Sequence, residues 1–267
     1  MFLITGIIIA ALFLVSTLMP FLSWVLPFYK IKKLENADIR TKIIANVIAI
    51  AAIAWVDVNY LITYIGVFCS IEILYYTFKK YGNKLGEFDK IFITSLIVGS
   101  LICGYIYFNR VGFNIGFENL KNMYIQKTTF TQHEVDMAFK FMKDNFIYLT
   151  FAYMGMTVFL TNYFLNKESF MDWDASYLWL IPYIILFFVK EYSQFNGIFI
   201  ENTIEVLKII YIMYFIKIVT GTLNEKVKKQ SLCFTVGVFL ALISPEFAFI
   251  FGGLASGIKI KIVKTRR

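Results

Sequence analysis

The residues best placed to do chemistry lie in IENTIEVLKIIYIMYFIKIV, residues 200–219. Glu201, Glu205 and Lys208 stand at i, i+4 and i+7, so a helix puts them on one face. Asn202 and Thr203 add hydrogen-bonding capacity beside them. If these charges lay outside a bilayer, only Ile209 to Thr220 would be left to cross it, about 18 Å of helix. A bilayer core is about 30 Å thick. Part of the charged face must therefore reach membrane depth, or line a thinned or water-filled region. Two readings follow. Glu205 and Lys208, three residues apart, can neutralise each other near the interface. Alternatively, Glu201, Asn202, Glu205 and Lys208 line a polar groove that binds a small molecule, because ionisable groups inside membranes usually face a cavity or a path.

Other polar residues in apolar surroundings are secondary candidates. Asp57, with Asn59, suits a turn cap. Glu72 in FCSIEILYY can reach toward Lys79. Glu246, beside Pro245, marks a hairpin tip, either a wet turn or part of an outward-facing site. Enzymatic chemistry finds little to use. There is no G-x-x-x-x-G-K-[ST] loop, no H-E-x-x-H and no G-x-S-x-G elbow. The single histidine, His133, cannot build a multi-histidine metal site, and HEVD suits the first turn of a helix. Cys69, Cys103 and Cys233 lie far apart in apolar runs and suit small buried hydrophobes. No catalytic set, metal or cofactor is expected, and an enzyme is left without support.

The elements that must position these residues are set by composition. The chain of 267 residues is 59% hydrophobic and 16% charged, against about 25% charged in soluble domains. Long apolar runs recur without strand-like alternation, which excludes a transmembrane β-barrel. The expected fold is all-α: one polytopic membrane helix bundle over residues 1–267, with about eight membrane segments. The first runs from Phe2 to Tyr29, with breaks at Pro20 and Pro27. It lacks a basic n-region and a clear cleavage site, so it does not suit a signal peptide. Segments follow at about 43–56, 59–78, 91–108, 146–165, 177–189 and 197–220. The stretch 231–263 is broken at Pro245 into a hairpin. Residues 109–145 form a polar, amphipathic insert. There Thr131 and Glu134 have capping-box spacing, and Val135, Phe139, Met142 and Phe146 recur at helical spacing. One interfacial amphipathic helix is expected, and NKESFMDWDAS is read as a short acidic loop.

The net charge of +8 sits between apolar segments, which points to membrane topology rather than nucleic acid. Most of it falls in four clusters: Lys30 to Lys42, Lys79 to Lys90, Lys217 to Lys229, and Lys259 to Arg267. All four stay cytoplasmic only if the last stretch crosses twice or re-enters. This arrangement places the C-terminus inside a cytoplasmic membrane and residues 109–145 outside. Small residues crowd two helices, AIAAIA around Ala51 and the stretch with Gly252, Gly253 and Gly257. They suit close helix packing or docking of a partner subunit.

The layout resembles the YybS-like family of predicted bacterial membrane proteins. The similarity is carried by MPFLSWVLPF, NFIYLTFAYMGMTVFLTNYFL, MDWDASYLWLIPYIILFF and a final double segment ending in basic residues. The chain differs from that family in YIMYFIKIVTG and GGLASGIKIKIV. The arrangement is also similar to substrate-binding membrane subunits of vitamin-type importers. The family carries no established activity; the charged face motivates the reading of a small-molecule-binding or transport-related subunit in the bilayer, coupled to separate ATPase subunits. A non-enzymatic scaffold or regulator of envelope biogenesis or signalling, bound to a membrane protein partner, is the alternative.

Overall fold

The computed structural model describes residues 2–192 and 197–258, and all regular structure among them is helical. The basic cluster Lys259, Lys261, Lys264, Arg266 and Arg267 lies outside the described residues, as does the end of the 231–263 stretch. Helix α1 is Phe2–Leu18 and α2 is Val25–Leu34, separated by a 3-10 turn at Pro20–Leu22. Only Pro20 breaks the first segment. Pro27 sits in the first turn of α2, where a missing N–H costs nothing. Helix α3 is Ile39–Val56 and α4 is Asn59–Tyr81. At the corner between them the Asp57 carboxylate accepts the Asn59 backbone N–H at 2.9 Å. Within α4, residues Tyr64–Cys69 form a π-helical turn.

Helix α5 is Glu87–Phe108. The insert expected as one helix is two, α6 (Arg110–Lys127) and α7 (Gln132–Asp144). Gly112 and Gly116 do not interrupt α6. The capping box that opens α7 is present, with Glu134 accepting the Thr131 backbone N–H at 2.7 Å. Phe139 of α7 meets Phe117 and Tyr124 of α6, and Lys121 pairs with Asp136 at 2.8 Å. The two helices thus cover each other's apolar face.

Helix α8 is Phe146–Leu165 and α9 is Leu180–Tyr192. Between them run two 3-10 turns, Lys167–Asp172 and Tyr177–Trp179. The last helices are α10 (Ile198–Val227), α11 (Gln230–Ile243) and α12 (Pro245–Ile258). Helix α10 is the axis of the second half. Ile210 and Tyr211 at its middle are fully buried, and α8, α9, α11 and α12 pack around it. In the first half α1 packs on α3 through Ala45, Ala49 and Ile53, while Ala51 faces outward.

Among the described residues four helices, α3, α4, α5 and α10, are long and apolar enough to cross a membrane. The α11–α12 pair makes a fifth if counted as one span, bent by 115° at Ser244. The α12 side of this V lies on α10 because Gly252 has no side chain. A Cβ there would stand 2.1 Å from the Tyr211 carbonyl oxygen. Gly253 has ordinary room, with Leu180 at 3.5 Å, and Gly257 has no neighbour within 4 Å.

Two outcomes are expected. Gly252→Val should lower stability by about 1–3 kcal/mol or more through overpacking, whereas Gly257→Ala should not. Thermal unfolding in mild detergent separates them, and equal losses would contradict the packing. The Thr131 backbone N–H, then its hydroxyl, hold the Glu134 carboxyl below its ordinary value of 4.5. The cap therefore contributes fully above that value and is lost as pH falls through the lower folded one. Hydrogen exchange in the first turn of α7 should accelerate in acid, after correction for intrinsic rates. Glu134→Ala should abolish that acid dependence.

Candidate functional site

The charged face of α10 divides among three sets of partners. Glu201, in the first turn, pairs with Lys190 of α9 at 3.2 Å. Asn202 is buried, and it is spent on backbone. Its Oδ1 accepts the Tyr148 N–H at 2.8 Å, and its Nδ2 donates to the Asp144 and Ile198 carbonyls, each at 2.8 Å. It thereby satisfies the corner where α7 turns into α8, whose end groups lack helical partners. Thr203 donates to its own helix at Phe199. Glu205 and Lys208 stay together, at 2.7 Å, and Glu246 joins them from the start of α12 at 2.8 Å.

This ion triad is assembled by the bend at Ser244. Pro245 is the first residue of α12, where its fixed φ suits a helix start. Glu246 then falls in the first turn, where the helix dipole favours a carboxylate. Close approach at Gly252 holds α12 against α10, which brings Glu246 to Lys208. The Lys208 side chain is 10% exposed, against 37% for Glu205 and 65% for Glu246. Its ammonium also lies 5.7 Å from the Phe249 ring. Ten residues, about 15 Å of helix, separate Lys208 from the start of α10. Tyr148 of α8 and Tyr183 of α9 lie within the field of all three charges. A largely apolar cavity of about 240 Å³ has Tyr148 and two chain neighbours of the triad, Ile209 and Pro245, among its walls. Two carboxylates on one ammonium leave the triad with a net negative charge. Such a cluster can hold a cationic group or exchange a proton.

A second buried ionic cluster was not anticipated. Lys30, expected in a basic loop, is fully buried and pairs with Glu72 at 2.9 Å. Glu72 therefore does not reach toward Lys79, which pairs with Glu35 instead. The reason is that α2 continues to Leu34. Leu26, Lys30 and Leu34 recur every four residues, which puts Lys30 on the buried stripe. That spacing was the available signal. The π-helical turn of α4 supplies the rest of the setting: Cys69 Sγ at 3.3 Å from the ammonium and the Tyr64 ring at 4.9 Å. The Tyr64 hydroxyl donates to Asn46 of α3 at 3.1 Å.

The segment 166–176, expected as an acidic loop, is built into the bundle. Phe170 and Trp173 are buried. One carboxylate oxygen of Asp89 accepts the Ser176 N–H at 3.1 Å and the Trp179 indole N–H at 3.0 Å. Tyr211 donates to the Ser176 carbonyl at 3.1 Å. Lys217, expected in a basic cluster, is 3% exposed, with its ammonium 5.2 Å from the Tyr214 ring and within the field of Asp172 and Asp174. Asp57 caps its corner. Among the described residues no group of three His, Cys, Asp or Glu side chains could hold a metal ion.

Removing one partner of the Lys30–Glu72 pair strands the other. Glu72→Gln or Lys30→Met alone should cost about 3–5 kcal/mol, and Lys30→Met with Glu72→Leu should recover much of it. Melting temperatures of the three variants in detergent test this. A double variant as unstable as the sum of the singles would refute the pairing.

No family model, curated protein or solved structure matches this chain.

Proposed function

We propose that this chain is a multi-pass membrane protein that binds a small molecule, as a transport-related subunit. One observation carries the reading. A buried lysine, Lys208, is held by carboxylates from two helices about 15 Å inside α10, and its chain neighbour Ile209 lines an apolar cavity. Ionisable groups so placed usually mark a binding site or a path. In this reading Glu205, Lys208 and Glu246 form the working set, and Glu201 and Asn202 orient α10 around it. Helices α1, α8 and α9 and the α11–α12 bend, counted as one, join the four long helices, for about eight membrane segments. The tip at Ser244 then re-enters or crosses from the basic side. Basic loops and the C-terminus are cytoplasmic, and residues 109–145 are outside, in keeping with the positive-inside rule. Separate ATPase partners belong to the same reading, by analogy with the layout of importer subunits.

The deciding experiment is gentle purification of the tagged protein from its native membrane, with mass spectrometry of co-purifying proteins and small molecules. A bound metabolite, with or without an ATPase-containing complex, is expected. Glu246→Gln and Lys208→Met should reduce its retention about tenfold or more, the loss of one good ionic contact, at unchanged expression. Undiminished retention in both variants would overturn the reading. So would an envelope or signalling protein recovered with no ligand, which would favour a scaffold.

A further inference from the structure

A second cavity, of about 270 Å³, opens between α4, α5 and α8. It lies at the far end of α8 from the ion triad, near Asn166 rather than Tyr148. Its composition sets it apart from the largely apolar cavities elsewhere. Its mouth carries Lys79 from the last turn of α4 and Lys90 from the first turn of α5, together with Tyr75, Asn166 and Ser169. Its floor is closed by Ile71, Ile91 and Val158, all buried. Two ammonium groups from different helices therefore face one small space with an apolar bottom.

Both lysines are engaged by carboxylates, Lys79 by Glu35 and Lys90 by its neighbour Glu87. The Lys79–Glu35 pair is exchangeable: its side chains are 53% and 37% exposed, and water screens their attraction. Lys90 and Glu87 are more covered, at 17% and 36%, and Glu87 itself lines the cavity. Lys80 and Lys84 add positive charge beyond the rim. The donors number more than a planar carboxylate can use. A tetrahedral phosphate presents several acceptor oxygens and can take two ammonium groups together with the Tyr75 hydroxyl. The floor requires something apolar just behind that group, because inorganic phosphate would leave Ile71, Ile91 and Val158 facing water.

We propose that this cavity binds the phosphate head of an amphiphile, with Lys79 and Lys90 on the phosphate and its first apolar atoms on the isoleucine–valine floor. The same chemistry can come from a phospholipid of the surrounding bilayer or from a soluble organophosphate. Glu35 and Glu87 act as competitors that occupy the lysines when the cavity is empty. The site is independent of the ion triad, so either reading can fail alone.

The test uses the full chain, delipidated in detergent and titrated with short-chain phosphatidylglycerol, butyl phosphate and inorganic phosphate. Saturable binding of phosphatidylglycerol alone supports the site and assigns it to lipid. Binding of butyl phosphate as well, both tighter than inorganic phosphate, supports a soluble source. Lys79→Gln and Lys90→Gln should each weaken binding about tenfold, with unliganded melting unchanged. Glu35→Gln should tighten binding, a gain that misfolding cannot produce. Inorganic phosphate bound as tightly as the organic probes would overturn the amphiphile. Absence of saturable binding, or affinities indifferent to both lysines, would overturn the site.

Discussion

A charge taken into an apolar bundle must bring its partner with it, or the desolvation cost is unopposed. Much of this structure follows from that constraint. Three lysines, Lys30, Lys208 and Lys217, are almost wholly covered. Each is compensated from a different element. Lys30 ties α2 to α4 through Glu72, and Lys208 ties α10 to α12 through Glu246. Lys217 sits in the field of the aspartates in segment 167–179. Apolar surface alone sets no register between greasy helices, since lipid tails are as apolar as leucine. Ionic pairs and close backbone contacts do.

The same accounting governs backbone. Buried peptide groups need partners as buried charges do. In the segment between α8 and α9, Asp89 of α5 accepts the Ser176 N–H and Tyr211 of α10 donates to the Ser176 carbonyl. Asn202 does the same for the corner between α7 and α8. A side chain that reads as a ligand in an apolar helix is here a structural fastener, and a lysine that reads as part of a loop is core.

The long elements were legible because periodicity and length leave little choice. The ends of α3 and α5, the capping box of α7 and the break at Pro245 lie at or close to where local chemistry puts them. The pairing of Glu205 with Lys208 follows from spacing alone. What escaped was whatever depends on a distant partner. Nothing local announces that Glu246 completes that pair from 38 residues away. The short segment 166–176 looks like a loop because the hydrogen bonds that fix its end go to α5 and α10, which no window around it contains. Lys30 was legible in principle from Leu26 and Leu34, but its lysine neighbours obscured the stripe. Helix α6 runs through Gly112 and Gly116, where an added side chain would meet nothing within 4 Å.

The position of α10 in the chain has a consequence for assembly. The Lys30–Glu72 pair and the α1–α3 contact are complete within the first 81 residues. That part can close while the rest is still being made, as early-emerging units generally do. The second half cannot. Segment 167–179 is synthesised well before Tyr211, and α8 before the helix that covers it. Until α10 arrives, those peptide groups have only the start of α5 and their own turns to bind. The chain is thus laid out as an early unit that closes on itself and a late one that waits for its axis, which makes the interval before residue 211 the vulnerable stage of its biogenesis.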